Sequence, residues 1–187
     1  MTWSHDVCER GMSPEDQPVQ EPAAMEYDLW RWHTEGAFPK DQPPEQGYVH
    51  IGMFLVWLID ADMLDHEWAA GIAVSSPIES IRERKGSACA LRDVTEGRLA
   101  GDMLGTEGQA FAGAYYAPEY GYVRDWNRVF GRAAAHYAVP GDWGTYDRIG
   151  PVIERRYHEW IAAGRPELMP MPRLLDFLLR LARPRLR

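Results

Sequence analysis

Cysteine is nearly absent from this chain. Only Cys8 and Cys89 occur, and they form neither a Cys-x-x-Cys pair nor a thiolate metal cluster. Cys8 lies in an opening segment without periodicity and Cys89 in a predicted helix, so no disulfide is expected. The opening residues lack the basic start and apolar run of a signal peptide, and the expected compartment is the reducing cytoplasm. No apolar run is long enough to span a bilayer: the longest, 49–64, is interrupted near its end by Asp60 and Asp62. Positive charge is scarce, with 20 Lys and Arg against 28 Asp and Glu and a net charge of −8, which argues against a nucleic-acid partner.

Several catalytic signatures are also missing. There is no Gly-x-Ser-x-Gly elbow and no glycine-rich phosphate-binding fingerprint. His66-Glu67-Trp68-Ala69-Ala70 begins like a zinc-protease helix, but Ala70 stands where the second histidine ligand is required. Glu154 and His158 share a helix face and supply two ligands, half of a tetrahedral shell. They read instead as a surface pair beside Arg155 and Glu159. Cys89 has Arg92 near it in sequence but no recognisable base, and reads as a structural thiol. No metal, no cofactor and no catalytic residue is expected.

Apolar and aromatic residues are plentiful, at 45% and 12% of 187 residues, with 8 Trp. That suffices for one sizeable core. The run 49–64 is apolar at nearly every position, and its length favours a helix buried on all sides over a strand. His50, Met53, Phe54, Trp57 and Ala61 share one of its faces. Before it, a short helix is predicted over 27–33, capped by Asp28, and Pro39, Pro43 and Pro44 keep the connection non-helical. After it, 66–75 reads as a loose segment. Ser76-Pro77-Ile78-Glu79 and Thr106-Glu107-Gly108-Gln109 are capping boxes that open helices. Between them a helix is expected over 87–96 and a turn or helical piece over 99–104. Pro118 and Gly150-Pro151 open two more helices, the second after a loop over 139–145 and closed by Gly164.

No segment alternates as a strand should. The expected architecture is all-α: a single compact domain of six to eight helices over 25–164, a mobile acidic arm over 1–24, and a C-terminal amphipathic extension over 165–187. The extension contains six arginines against Glu167 and Asp176 and could contact a partner helix or an anionic surface, or dock on its own domain.

Three polar residues close to the central run stand out: His33, Asp41 and His50. A carboxylate reaching a histidine across the proline-rich connection could orient a base or bind a ligand. The plainer reading is a core histidine satisfied by a structural acceptor.

Trp32-His33-Thr34-Glu35-Gly36-Ala37-Phe38-Pro39-Lys40-Asp41-Gln42-Pro43 followed by His50-Ile51-Gly52-Met53-Phe54-Leu55-Val56-Trp57 resembles the signature of small bacterial proteins grouped as a domain of unknown function. Weaker matches follow at Glu107-Gly108-Gln109-Ala110-Phe111 with Tyr115-Tyr116, and from Trp143 to Trp160. The resemblance implies a helical cytoplasmic protein. The position of some such proteins beside polymorphic toxin genes implies an immunity-like role. The expected function is therefore non-enzymatic protein binding, with a basic toxin domain as partner and an acidic surface complementary to it. The alternative is a small-ligand binder or enzyme using His33, Asp41 and His50.

Overall fold

The computed structural model of the protein describes residues 24–35, 38–72, 77–118 and 121–169. Residues 1–23 of the arm expected over 1–24, the capping Ser76 and the part of the expected C-terminal extension after residue 169 lie outside the described residues.

Among the described residues seven helices are arranged around an eighth, with a small two-stranded sheet beside them. In chain order the elements are strand β1 (Glu26–Leu29), α1 (Trp30–Thr34), α2 (Val49–Asp60), α3 (His66–Gly71), α4 (Pro77–Arg82), α5 (Leu91–Val94), strand β2 (Arg98–Ala100), α6 (Thr106–Phe111), α7 (Tyr122–Phe130) and α8 (Trp143–Ala162). The central helix is α2. Every residue from Val49 to Ile59 is buried and only Asp60 reaches solvent, as expected of a helix apolar on all faces.

The shell is fitted to α2 side by side. Trp57 is 3% exposed, and its indole Nε1 donates to Glu154 Oε2 of α8 at 2.9 Å. Phe54 packs against Tyr116, Tyr122 and Phe111, with ring centroids 4.8, 5.1 and 6.1 Å away. On the opposite flank the short 3-10 turn Ala88–Ala90 comes so close that a Cβ on Gly52 would sit 2.9 Å from the Ala88 carbonyl oxygen. Glycine at that position allows a backbone to touch the helix. A second polar clamp ties α7 to α8: the buried Asp125 carboxylate accepts from Arg156 at 2.7 and 3.2 Å and from Tyr115 at 3.2 Å.

Several expectations are corrected. The chain over 27–33 is not one helix capped by Asp28. It opens as β1, paired antiparallel with β2, and α1 begins only at Trp30 with no side-chain cap. Local propensity is overridden because Glu26 pairs with Ala100 and Asp28 with Leu99, leaving Tyr27 as the extra residue of a bulge. Residues 66–71 form α3, because the Asp65 carboxylate accepts from the Trp68 amide at 2.9 Å and caps the helix. The helix expected over 87–96 is a 3-10 turn followed by one α-turn. Gly105, not Thr106, occupies the cap position of α6. The last described helix starts at Trp143, eight residues before Pro151, because Asp142 accepts from the Thr145 amide at 3.0 Å. Pro151 is exposed inside it, where the lost backbone donor faces outward.

Among the described residues no helix is long and apolar enough to cross a membrane. The Glu154–His158 pair is an exposed contact at 2.8 Å, as expected.

Gly52→Ala tests the close approach. Alanine gains up to about 1 kcal/mol of helix propensity over glycine, but the clash with Ala88 backbone is of the overpacking kind that costs about 1–3 kcal/mol. Urea denaturation should show the variant less stable than the parent.

Candidate functional site

The bulge in β1 decides where the site forms. With Tyr27 as the extra residue, Asp28 turns inward and is 6% exposed, while its neighbours remain partly accessible. Its carboxylate then becomes a point of convergence. Oδ1 accepts from the Leu29 amide at 2.8 Å and meets His33 Nε2 at 2.7 Å. Oδ2 accepts from the Tyr116 hydroxyl at 2.6 Å and meets His50 Nε2 at 3.2 Å. His33 is supplied by α1, His50 by the first turn of α2, and Tyr116 by a π-helical turn, Ala112–Tyr116, that continues α6. That wider turn lets the consecutive Tyr115 and Tyr116 both be buried, one directed to Asp125 and the other to Asp28.

A third histidine adjoins the cluster. His136, in the 3-10 segment Ala133–Ala138, has its ring centroid 4.8 Å from that of His50, and the His33 and His50 rings are 4.3 Å apart. His136 Nδ1 donates to Asn127 Oδ1 at 3.2 Å. Because Asp28 is an acceptor, His33 and His50 direct their Nε2–H toward it. The remaining nitrogens, His50 Nδ1 and His136 Nε2, are then bare lone pairs, and both are buried without a hydrogen-bond partner. The neighbouring indole N–H of Trp126 is unpartnered as well. Buried polar atoms are normally satisfied, so three such atoms on touching rings mark this region out.

The electrostatics are asymmetric. Burial acts to raise the Asp28 carboxyl, but hydrogen bonds and charge from His33 and His50 outweigh it and hold the group well below the usual carboxylate range. Burial pushes His50 down against the pull of Asp28. His136 is lowered to about 3, chiefly by burial and then by the neighbouring histidines. Burial and the Asp28 charge push the Tyr116 phenol well up, so it remains a donor. Asp28 is thus a buried anion beside a His50 imidazole whose charged form burial disfavours. Asp125 is the instructive contrast, since Arg156 and Arg128 supply it with fixed positive charge. No arginine or lysine reaches Asp28 among the described residues.

Of the three residues singled out from sequence, His33 and His50 are brought together and Asp41 is not. Asp41 is exposed in a turn, and the carboxylate between the histidines is Asp28. The turn after Pro39 ends the reach of Asp41, whereas pairing with β2 carries Asp28 inward. Ligand atoms of Asp28, His33 and His50 lie within 4.8 Å of one another, so three potential ligands from separate elements converge here. Asp28, Tyr116 and His136 were not chosen from sequence. The one available signal was a lone carboxylate in Tyr27-Asp28-Leu29-Trp30, ahead of the signature histidine. Cys89 is free and half-buried, and burial pushes its thiol up, which agrees with an unreactive group.

The molecule so defined is a mostly helical domain with a histidine–carboxylate centre at the foot of its central helix. The chain belongs to the family described as Domain of unknown function (DUF7832), whose model matches residues 26–139. That span contains every residue of the centre and ends before α8, short of the resemblance read to Trp160. No curated protein and no solved structure matches the chain.

Acid should destabilise the fold through this centre. Below the ordinary histidine value of 6.5 the unfolded chain takes up a proton that the buried His136 refuses until about 3. Stability therefore falls as pH drops across that window, by about 1.4 kcal/mol per pH unit for each such group. Denaturation midpoints measured from neutral to acid pH should fall less steeply in His136→Phe than in the parent.

Proposed function

We propose that this protein binds a small cation at the centre formed by Asp28, His33 and His50. One observation carries the reading: a charged carboxylate, 6% exposed, whose side-chain partners are two histidines and a tyrosine and no fixed cation. A buried charge is stable only when paired. At Asp125 the pairing is built in through Arg156; at Asp28 a countercharge has to come from a proton on a histidine or from a ligand. His33, whose side chain is 22% exposed, is the side open to solvent and gives the ligand its way in. The unpartnered nitrogens of His50 and His136 add acceptors of the kind a cation seeks.

The test is titration of the protein with ammonium, guanidinium, a polyamine and divalent metal ions, following the imidazole nitrogens by NMR. The expected result is a saturable shift of the His33 and His50 signals by one of these cations, abolished in Asp28→Asn. If no cation moves either signal, the reading is wrong.

A second reading, protein binding to a basic partner, has its own support. An open groove of about 710 Å³ runs between α2 and α8, lined by Trp57, Asp60, Tyr146, Asp147, Glu154 and Tyr157. Its carboxylates are already engaged: Asp60 by Tyr146 at 2.6 Å, Asp147 by Arg84 at 2.6 Å and Glu154 by Trp57 at 2.9 Å. That local pairing weakens the case for a partner. Neither the fold nor the comparisons points to a toxin as that partner. For a groove of this sign, Glu154→Lys should slow association with a captured basic protein and flatten its salt dependence; unchanged association kinetics would remove the groove from consideration.

A further inference from the structure

We infer that the cation is a divalent first-row transition-metal ion, coordinated by Asp28, His33 and His50, with His136 as the outer partner that fixes the His50 ring. This rests on the cation-binding reading and names its ligand. The donor set decides the class. Two imidazole nitrogens and one carboxylate oxygen suit ions of the zinc and ferrous kind, whereas calcium and magnesium take shells made of oxygens.

The distances agree. Two ligand atoms on a tetrahedral zinc-like ion, each about 2.0–2.1 Å from it, are about 3.3 Å apart. His50 Nε2 already stands 3.2 Å from Asp28 Oδ2, and His33 Nε2 stands 2.7 Å from Oδ1. Both contacts lie within a fraction of an ångström of that separation, and one ligand atom from each of the three residues lies within 4.8 Å of the others, so small side-chain adjustments bring them around one ion. They offer three protein ligands, which leaves further coordination positions for water or a substrate.

The supporting groups are those a metal centre uses. Tyr116 and the Leu29 amide hold the carboxylate from outside and can keep doing so when its inner lone pairs turn to an ion. A histidine that ligates through Nε2 must bear its proton on Nδ1 and donate it to an acceptor. In His50 that nitrogen is buried and has no partner. The adjacent ring of His136 presents an equally unpartnered Nε2 lone pair, its own proton being committed to Asn127. Loading an ion therefore shifts the His50 proton from Nε2 to Nδ1, where a small ring rotation gives it His136 Nε2 as acceptor. Two nitrogens that lack partners without metal become a donor and acceptor with it. At His33, whose side chain is 22% exposed, the same tautomer exchange frees Nε2 for the ion, so no net proton is gained or lost at either histidine.

Cobalt(II) is the probe, because its visible spectrum reports ligand type and coordination number, and zinc is the competitor. The metal-free full chain should bind one cobalt ion with nitrogen–oxygen ligand character, displaced by zinc. His33→Ala, at a partly exposed position on α1, should fold as the parent by circular dichroism and lose binding by at least about tenfold. Asp28→Asn should do the same. His136→Phe should weaken binding by about 10–100-fold without changing stoichiometry, as removal of an outer partner does. His158→Ala, at the exposed Glu154–His158 pair, should bind normally. Absence of a one-to-one site, or binding that survives both His33→Ala and Asp28→Asn in folded protein, overturns the inference. If metals fail while an organic cation shifts the His33 and His50 signals, the metal assignment alone falls. If nothing shifts them, the cation-binding reading falls with it.

Discussion

A helix that is apolar on every face cannot lie on a surface, and the rest of this fold follows from enclosing one. α2 offers no side to solvent except at its C-terminal Asp60. Each flank therefore needs its own cover: α8 along Trp57, the stacked rings of Phe111, Tyr115, Tyr116 and Tyr122 around Phe54, and the Ala88–Ala90 turn against Gly52. Short helices and single turns serve better than long ones, because a shell around a rod must change direction often. That explains why so much of the chain is in pieces of four to six residues.

Enclosing α2 also encloses His50, which sits in its first turn. A polar ring at 1% exposure must be satisfied or used. The protein supplies an anion to it, Asp28, by bending β1 with a bulge. The same carboxylate gathers His33 from α1 and Tyr116 from the π-helical turn, so four separate parts of the chain meet at one buried charge. The comparison with Asp125 shows what complete internal compensation looks like in this molecule: a bidentate arginine. At Asp28 the compensation is left to groups that can change protonation state or ligand, and that difference separates a structural ion pair from a centre able to take something in.

The family match adds a boundary to this picture. It covers 26–139, which includes the whole centre, while α8, the largest piece of the cover on α2, lies beyond it. The clamp from Asp125 to Arg156 and the bond from Trp57 to Glu154 attach that outer helix to the matched part. The groove between α2 and α8 is thus formed partly outside the matched span, unlike the histidine–carboxylate centre.

The sequence by itself determined the helical class, the central helix and its total burial, because an unbroken apolar run of that length has no other solution in water. It also pointed to His33 and His50. It did not reveal the two-stranded sheet, since strands of four and three residues leave almost no alternation to read, and their pairing joins residues some 70 positions apart. It misplaced the carboxylate for the same reason. Asp28 next to a helical stretch looks like a cap, and Asp41 looks near enough to a histidine along the chain. Only the pairing of β1 with β2, with one residue bulged out, turns Asp28 inward. Tyr116 lies 88 residues from Asp28 along the chain, and His136 joins through a ring contact alone. Helix burial is a property of a local run of side chains and can be read locally. A convergence of single polar groups from distant segments has no local pattern, and tertiary structure alone decides it.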